Sequence, residues 1–132
     1  MKILIADDSY DWLNAHTVLL TEVFGEDAEI VCANSAFEAL NIYKEEYVDN
    51  PFNLVITDMQ MESDFEPLYA GEWLIREIQN LKPLQDILIV SSTMNIEQIA
   101  ESYGVDFISK RLIISDMSAY EEKLKTISIL IS

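Results

Sequence analysis

A chain of 132 residues, half of them hydrophobic, is long enough for one domain with a real core and too apolar to be disordered. Its formal net charge of −16 excludes nucleic acid and anionic membrane surfaces as partners, because both would repel it. The single cysteine, Cys32, excludes an internal disulfide, and its apolar surroundings predict a buried thiol.

In chain order, residues 2–6 (KILIA) read as a strand buried on both faces. Asp7 and Asp8 end this run too early for a signal peptide, and no stretch is long enough to span a bilayer, so a cytoplasmic location is expected. Residues 10–24 place Leu13, Val18, Leu19, Leu20, Val23 and Phe24 at mostly helical spacing, and Gly25 stops that helix. His16 lies within it and reads as a surface or partly buried side chain, not a ligand. Residues 28–33 (AEIVCA) form a second strand. Asn34 or Ser35 caps the next helix, with Glu38 placed to complete a capping box on Ser35. That helix ends before the turn signal Asn50-Pro51.

Residues 53–57 (NLVIT) form the third strand and run into Asp58. The segment from Met59 to Ala70 is irregular and acidic, with Glu62, Asp64 and Glu66; it reads as a solvated loop. Gly71 opens a helix carrying Trp73, Leu74, Ile75, Ile78 and Leu81, and residues 86–91 (DILIVS) are a fourth strand. A short helix over 95–103 stops at Gly104, residues 105–109 (VDFIS) are the fifth strand, and a final helix over 115–130 closes the chain. This alternation predicts an α/β fold with a doubly wound five-stranded parallel sheet and five helices. One change of winding direction leaves a single crevice at the carboxyl edge.

The strand ends carry the chemistry. Asp7 and Asp8 follow the first strand, Asp58 the third, Ser91 and Ser92 end the fourth, and Lys110 follows the fifth. Carboxylates this close raise one another's pKa, a penalty that a divalent cation removes. One or two carboxylates with waters and a phosphate oxygen is the usual coordination of Mg²⁺. Lys110 supplies a point charge for a phosphate oxygen or for Asp58, and Ser91 a hydrogen-bond donor. With one histidine, and no glycine-rich phosphate loop, the set suits a carboxylate nucleophile that receives a phosphoryl group with a metal's help.

Over essentially its whole length the chain resembles the receiver domains of bacterial two-component response regulators, chemotaxis regulators among them. The residues that carry the resemblance are Asp7-Asp8 after ILIA, Asp58 in VITDMQM, Ser91 in ILIVSS and Lys110 in VDFISK. The resemblance implies the flavodoxin-like strand order 2-1-3-4-5 and Asp58 as phosphoacceptor. It implies Mg²⁺, or Mn²⁺, held by Asp8, Asp58 and the backbone carbonyl of Gln60, with Asp7 acting mainly through water. Ser91 would bind the phosphoryl oxygen beside Lys110, Phe107 matches the rotating switch aromatic, and Gln60 and Thr93 fall where the family tunes phosphate lifetime.

Its partners would be a histidine kinase or histidine phosphotransfer protein and an unidentified downstream protein, reached through the fourth helix, fifth strand and last helix. Homodimers through those elements are common in the family. The expected organisation is a single receiver over residues 1–132 with no output domain, and no enzyme beyond its own phosphoryl transfer and autodephosphorylation.

The departures are Arg111 where the family has proline, Glu62 in place of another, and Ser92 where a smaller residue is common. The segment from Asp58 to Gly71 is longer than the family's, and that from Gly104 to Lys110 shorter. These differences keep open a second reading, a constitutive interaction module that retains the fold without switching. A metal-dependent phosphatase with an aspartate nucleophile is disfavoured, because Gln60 stands where its second acid belongs.

Overall fold

The computed structural model describes residues 1–62 and 68–131. Strands β1 (Lys2–Ala6), β2 (Glu29–Ala33), β3 (Leu54–Thr57), β4 (Ile87–Ser91) and β5 (Asp106–Ser109) form one parallel sheet in the order β2-β1-β3-β4-β5. Helices α1 (Tyr10–Phe24), α2 (Ala36–Glu46), α3 (Ala70–Leu81), α4 (Ile96–Tyr103), α5 (Lys110–Ser115) and α6 (Met117–Ile131) cover its two faces. The period-two geometry of a strand sorts apolar side chains between two cores. Leu4, Ala6, Val55 and Ile89 pack with α2, α3 and α4; Ile3, Ile5, Ile56, Val90 and Ile108 pack with α1, α5 and α6. Asp64 and Glu66 of the expected acidic loop lie outside the described residues. Among the described residues, no helix is long and apolar enough to cross a membrane.

Three expectations are corrected. The final helix expected over 115–130 is α6, and a short helix not expected, α5, precedes it, so the structure has six. Ser109 Oγ accepts from Arg111 N at 3.1 Å and starts α5 directly at Lys110. Asp116 then breaks the run: its backbone is extended, and its Oδ1 accepts from Ser118 N at 3.1 Å at the start of α6. Cys32 is exposed, not buried, because β2 is an edge strand; the Thr17 hydroxyl lies 3.8 Å from its thiol. His16 is 1 % exposed, on the inner side of α1, where Leu13, Leu19 and Leu20 are also buried while Val18 faces out.

Helix starts follow local chemistry. Ser9 caps α1 by accepting from Trp12 N, and Ser35 caps α2 by accepting from Glu38 N at 3.1 Å. The remaining free amides of α2 are taken from a distance. Glu62 Oε1 accepts from Ala36 N at 2.7 Å, and Oε2 from Phe37 N at 3.0 Å. A carboxylate on a helix N-terminus satisfies orphan donors and complements the helix dipole. The chain leaving β3 is thereby strapped to α2.

Candidate functional site

The register of the sheet builds the site. Ala6 pairs with Thr57, and the ladder continues one step, Asp58 N donating to Ala6 O at 2.9 Å. Asp7 N likewise donates to Ala33 O at 3.1 Å. Asp7 and Asp58 thus leave adjacent strands side by side, buried at 1 % and 7 % exposure, while Asp8 is exposed. One oxygen from each of Asp7, Asp8 and Asp58 lies within 4.8 Å of the others.

Lys110, the first residue of α5, is buried and turned into this cluster. Its Nζ donates to Asp58 Oδ2 at 2.7 Å and pairs with Asp7 Oδ2 at 2.8 Å. The ammonium also lies 4.8 Å from the centroid of the Trp12 ring. Asp58 Oδ1 accepts from Met59 N at 2.6 Å, and Asp7 Oδ1 from Ser9 N at 2.9 Å. Both carboxylates are therefore fixed through one oxygen by backbone. The other oxygen of each turns toward Lys110.

The electrostatics follow from burial against charge. Burial alone would raise the carboxyl of Asp7, but His16, Lys110 and the Ser9 amide more than offset it and hold it below its ordinary value. Asp8 moves the other way, raised by partial burial and then by the neighbouring charges of Asp7 and Asp58. Lys110 is raised, since the attraction of Asp58 and Asp7 outweighs the cost of burying its charge.

These residues fit a hard divalent cation. Carboxylate oxygens are its preferred donors, and the repulsion that raises Asp8 is what a cation relieves. Asp7 Oδ2 is buried and makes no directed hydrogen bond, its contact with Lys110 being ionic. An oxygen in that condition is a ready acceptor for a metal or a metal-bound water.

Two further features hold Asp58 in place. Thr57 Oγ1 donates to the carbonyl of Asp58 at 2.8 Å. Gly71, at the start of α3, donates to Met59 O at 3.0 Å, and a Cβ there would stand 2.0 Å from the Asp58 carbonyl oxygen. Glycine permits this close approach of α3 to the chain after β3.

The other expected residues are distributed around this centre. Ser91 and Thr93 are buried at the end of β4 and bond each other, their hydroxyls 2.9 Å apart with Thr93 N donating to Ser91 Oγ at 3.3 Å. Among the described residues, no hydrogen bond joins Ser91 or Thr93 to the acid cluster. Gln60 is exposed on the turn after Asp58, and Ser92 is exposed beside Ser91. Phe107, on β5, is half-buried against the core that includes Ile89 and Ile99. Sequence reasoning missed His16, Tyr120, Trp12 and Glu62. His16 Nε2 lies 3.9 Å from Asp7 Oδ2, and its Nδ1 lies 2.5 Å from the hydroxyl of Tyr120 on α6.

A doubly wound sheet whose carboxyl edge gathers three aspartates and a lysine defines a receiver-type fold. No protein-family model matches the sequence, and no curated protein matches it. Solved structures do. The chain is similar to a response regulator receiver domain protein from Clostridium thermocellum, with 26% identity, a TM-score of 0.71, and coverage of 99% of this chain and 98% of that one. It is similar to a chain of the CheX–CheY–BeF3–Mg²⁺ complex from Borrelia burgdorferi at 20% identity and a TM-score of 0.75, covering 100% and 90%. It is also similar to the phosphorylated cyanobacterial phytochrome response regulator RcpA at 16% identity and a TM-score of 0.73, covering 98% and 92%. The chain has the receiver-domain fold of the response regulators.

Proposed function

We propose that this protein is a phosphoacceptor of a two-component phosphorelay, taking a phosphoryl group from a phosphohistidine onto Asp58. The observation that carries the reading is the convergence of Asp7, Asp8 and Asp58 within 4.8 Å, with Lys110 Nζ 2.7 Å from Asp58 Oδ2. A carboxylate oxygen of Asp58 attacks phosphorus. A P–O bond forms as the P–N bond breaks, and its electron pair stays on the donor imidazole, which takes up one proton. Attack by water on the acyl phosphate later returns the carboxylate and inorganic phosphate.

Asp8, Asp58 and the carbonyl of Gln60, with Asp7 through water, would hold a Mg²⁺ ion. Bound there, the ion supplies positive charge to the phosphoryl oxygens. Asp58 is oriented by the Met59 amide at Oδ1, leaving Oδ2 toward Lys110. Lys110 follows the transferred group by exchanging a carboxylate oxygen for a phosphoryl oxygen. Ser91 turns from Thr93 toward that group, Phe107 responds on β5, and Gln60 and Thr93 bear on how long the phosphate lasts. Its chemistry is confined to its own side chain: the phosphoryl group passes onto Asp58 and from there to water.

Output is partner binding in the cytoplasm. A groove of about 470 Å³ beside β5, lined by Phe107, Ser109, Leu112, Ala119, Lys123 and Thr126, supports that surface. The non-switching reading has one observation of its own. Tyr103 at the end of α4 is bound to α3 through Arg76, Glu72 and Gln79 at 2.8, 3.1 and 2.9 Å, an arrangement that resists movement of α4.

The test adds beryllium fluoride with Mg²⁺ and follows amide shifts and the fluorescence of Trp12, whose ring lies against Lys110. The phosphoacceptor reading expects a Mg²⁺-dependent response that Asp58→Asn abolishes. No response in the wild type, or one that survives Asp58→Asn, would overturn it.

A further inference from the structure

His16 is the only histidine of the chain, and it is 1 % exposed between α1 and α6. Its aromatic neighbours fix the ring. Trp12 lies 5.8 Å away, centroid to centroid, and Tyr120 meets it edge-on at 5.4 Å with an interplanar angle of 89°. Tyr120 is as buried as His16, and burial followed by the nearby charge of Asp7 pushes its phenol far above the ordinary range, so it stays a hydroxyl.

The hydrogen-bonding roles follow from Asp7. An ionised carboxylate only accepts, so the nitrogen facing it, Nε2, carries the ring proton. Nδ1 then accepts from Tyr120 OH. A directed chain runs from α6 to the acid cluster: Tyr120 hydroxyl, His16 ring, Asp7 Oδ2. At 3.9 Å its last step is longer than a hydrogen bond. His16 Nε2–H therefore stands behind Lys110 as the next donor available to that oxygen.

We propose that His16, its Nε2–H facing Asp7 and its Nδ1 held by Tyr120, is a positioning residue for the carboxylate of Asp7. The inference rests on the phosphoacceptor reading. There Lys110 leaves Asp7 Oδ2 for a phosphoryl oxygen, and that buried oxygen then has no other side-chain donor among the described residues. His16 takes up the vacated contact and keeps Asp7 aimed at the cation and its waters. Losing such an outer partner typically costs about 10–100-fold in metal affinity.

Mg²⁺ affinity is measured from amide shifts in excess beryllium fluoride, which stands in for the phosphoryl group that draws Lys110 from Asp7, for the wild type, His16→Leu, His16→Gln and Tyr120→Phe, beside urea melts in EDTA. His16→Leu should bind Mg²⁺ about 10–100-fold more weakly. His16→Gln, which keeps an N–H at similar reach, should recover most of that loss. The ring ¹⁵N spectrum of the wild type, with one histidine to read, should show the proton on Nε2, and Tyr120→Phe, which leaves Asp7 facing Nε2, should keep it there.

Unchanged Mg²⁺ affinity in His16→Leu, or a ring proton on Nδ1 in the wild type, overturns the inference and leaves the phosphoacceptor reading standing. Failure of the wild type to bind Mg²⁺ overturns both. Should His16→Leu not fold, the glutamine variant and the tautomer measurement decide alone.

Discussion

Lys110→Met isolates what one cation does for the buried acids. Methionine keeps the length of the stem and removes the charge that lies 2.7 Å from Asp58 Oδ2 and 2.8 Å from Asp7 Oδ2. Deleting one partner of a buried ion pair costs about 3–5 kcal/mol, because the remaining charge is left uncompensated. Two buried carboxylates share this cation, so the loss belongs within that range even though water reaches the site beside Asp8. Against a total of roughly 5–15 kcal/mol the variant still folds. At about 4 °C per kcal/mol for a domain of this size, its midpoint should fall by roughly 12–20 °C.

The assay is urea unfolding beside a thermal melt, both at neutral pH in EDTA. Repeating it in Mg²⁺ at about 100 times Kd should return some 2.7 kcal/mol, by binding to the folded state alone. A loss under about 1 kcal/mol in EDTA would refute the reasoning, since that is the scale of an exposed pair. The pH dependence has a worked sign. The folded-state carboxyl of Asp7 is depressed, so its contribution is present above 3.8 and is lost as pH falls through the folded value. Lys110 is raised, so its contribution is present below 10.5 and is lost as pH rises through its folded value. The variant should lose the alkaline dependence with Lys110 and keep a weaker acid-side one, since His16 and the Ser9 amide still lower Asp7.

Asp8→Asn should abolish Mg²⁺ binding yet stabilise the metal-free protein by roughly 0.2–1 kcal/mol, the scale of exposed charge pairs, because the raised carboxyl of Asp8 is penalised when ionised; titration with Mg²⁺ beside a urea melt checks both halves. Gly71→Ala should destabilise by about 1–3 kcal/mol and shift the amides of Asp58 and Met59, since its Cβ would meet the Asp58 carbonyl oxygen at 2.0 Å. Glu62→Ala should cost about 1 kcal/mol and speed exchange of the Ala36 and Phe37 amides that Glu62 now holds. Unchanged exchange there would mean that the strap does not persist in solution.

The sheet and most of the site are legible in the sequence for a single reason. Strands buried on both faces, such as ILIA and LVIT, read as continuous apolar runs, and in a parallel sheet every strand, the edge strand DFIS included, ends at the same edge, so the residues after them gather there. His16 was not legible. Its position three residues after Leu13 and four before Leu20 puts it on the apolar face of α1, but its partner Tyr120 lies 104 residues away, beyond any local pattern. The same applies to Glu62, whose value lies in two amides at the start of α2. Helix α5 was hidden because it is only six residues long and starts directly at the end of β5, through the Ser109 cap on Arg111 N, while Asp116 separates it from α6. Cys32 misled because an edge strand looks as apolar as a central one.

Intact-protein mass measurement after incubation with acetyl phosphate and Mg²⁺ tests the central claim most directly. Asp58 as phosphoacceptor predicts a mass gain of one phosphoryl group in the wild type, lost with EDTA and absent in Asp58→Asn. No gain in the wild type, or the same gain in Asp58→Asn, would contradict it.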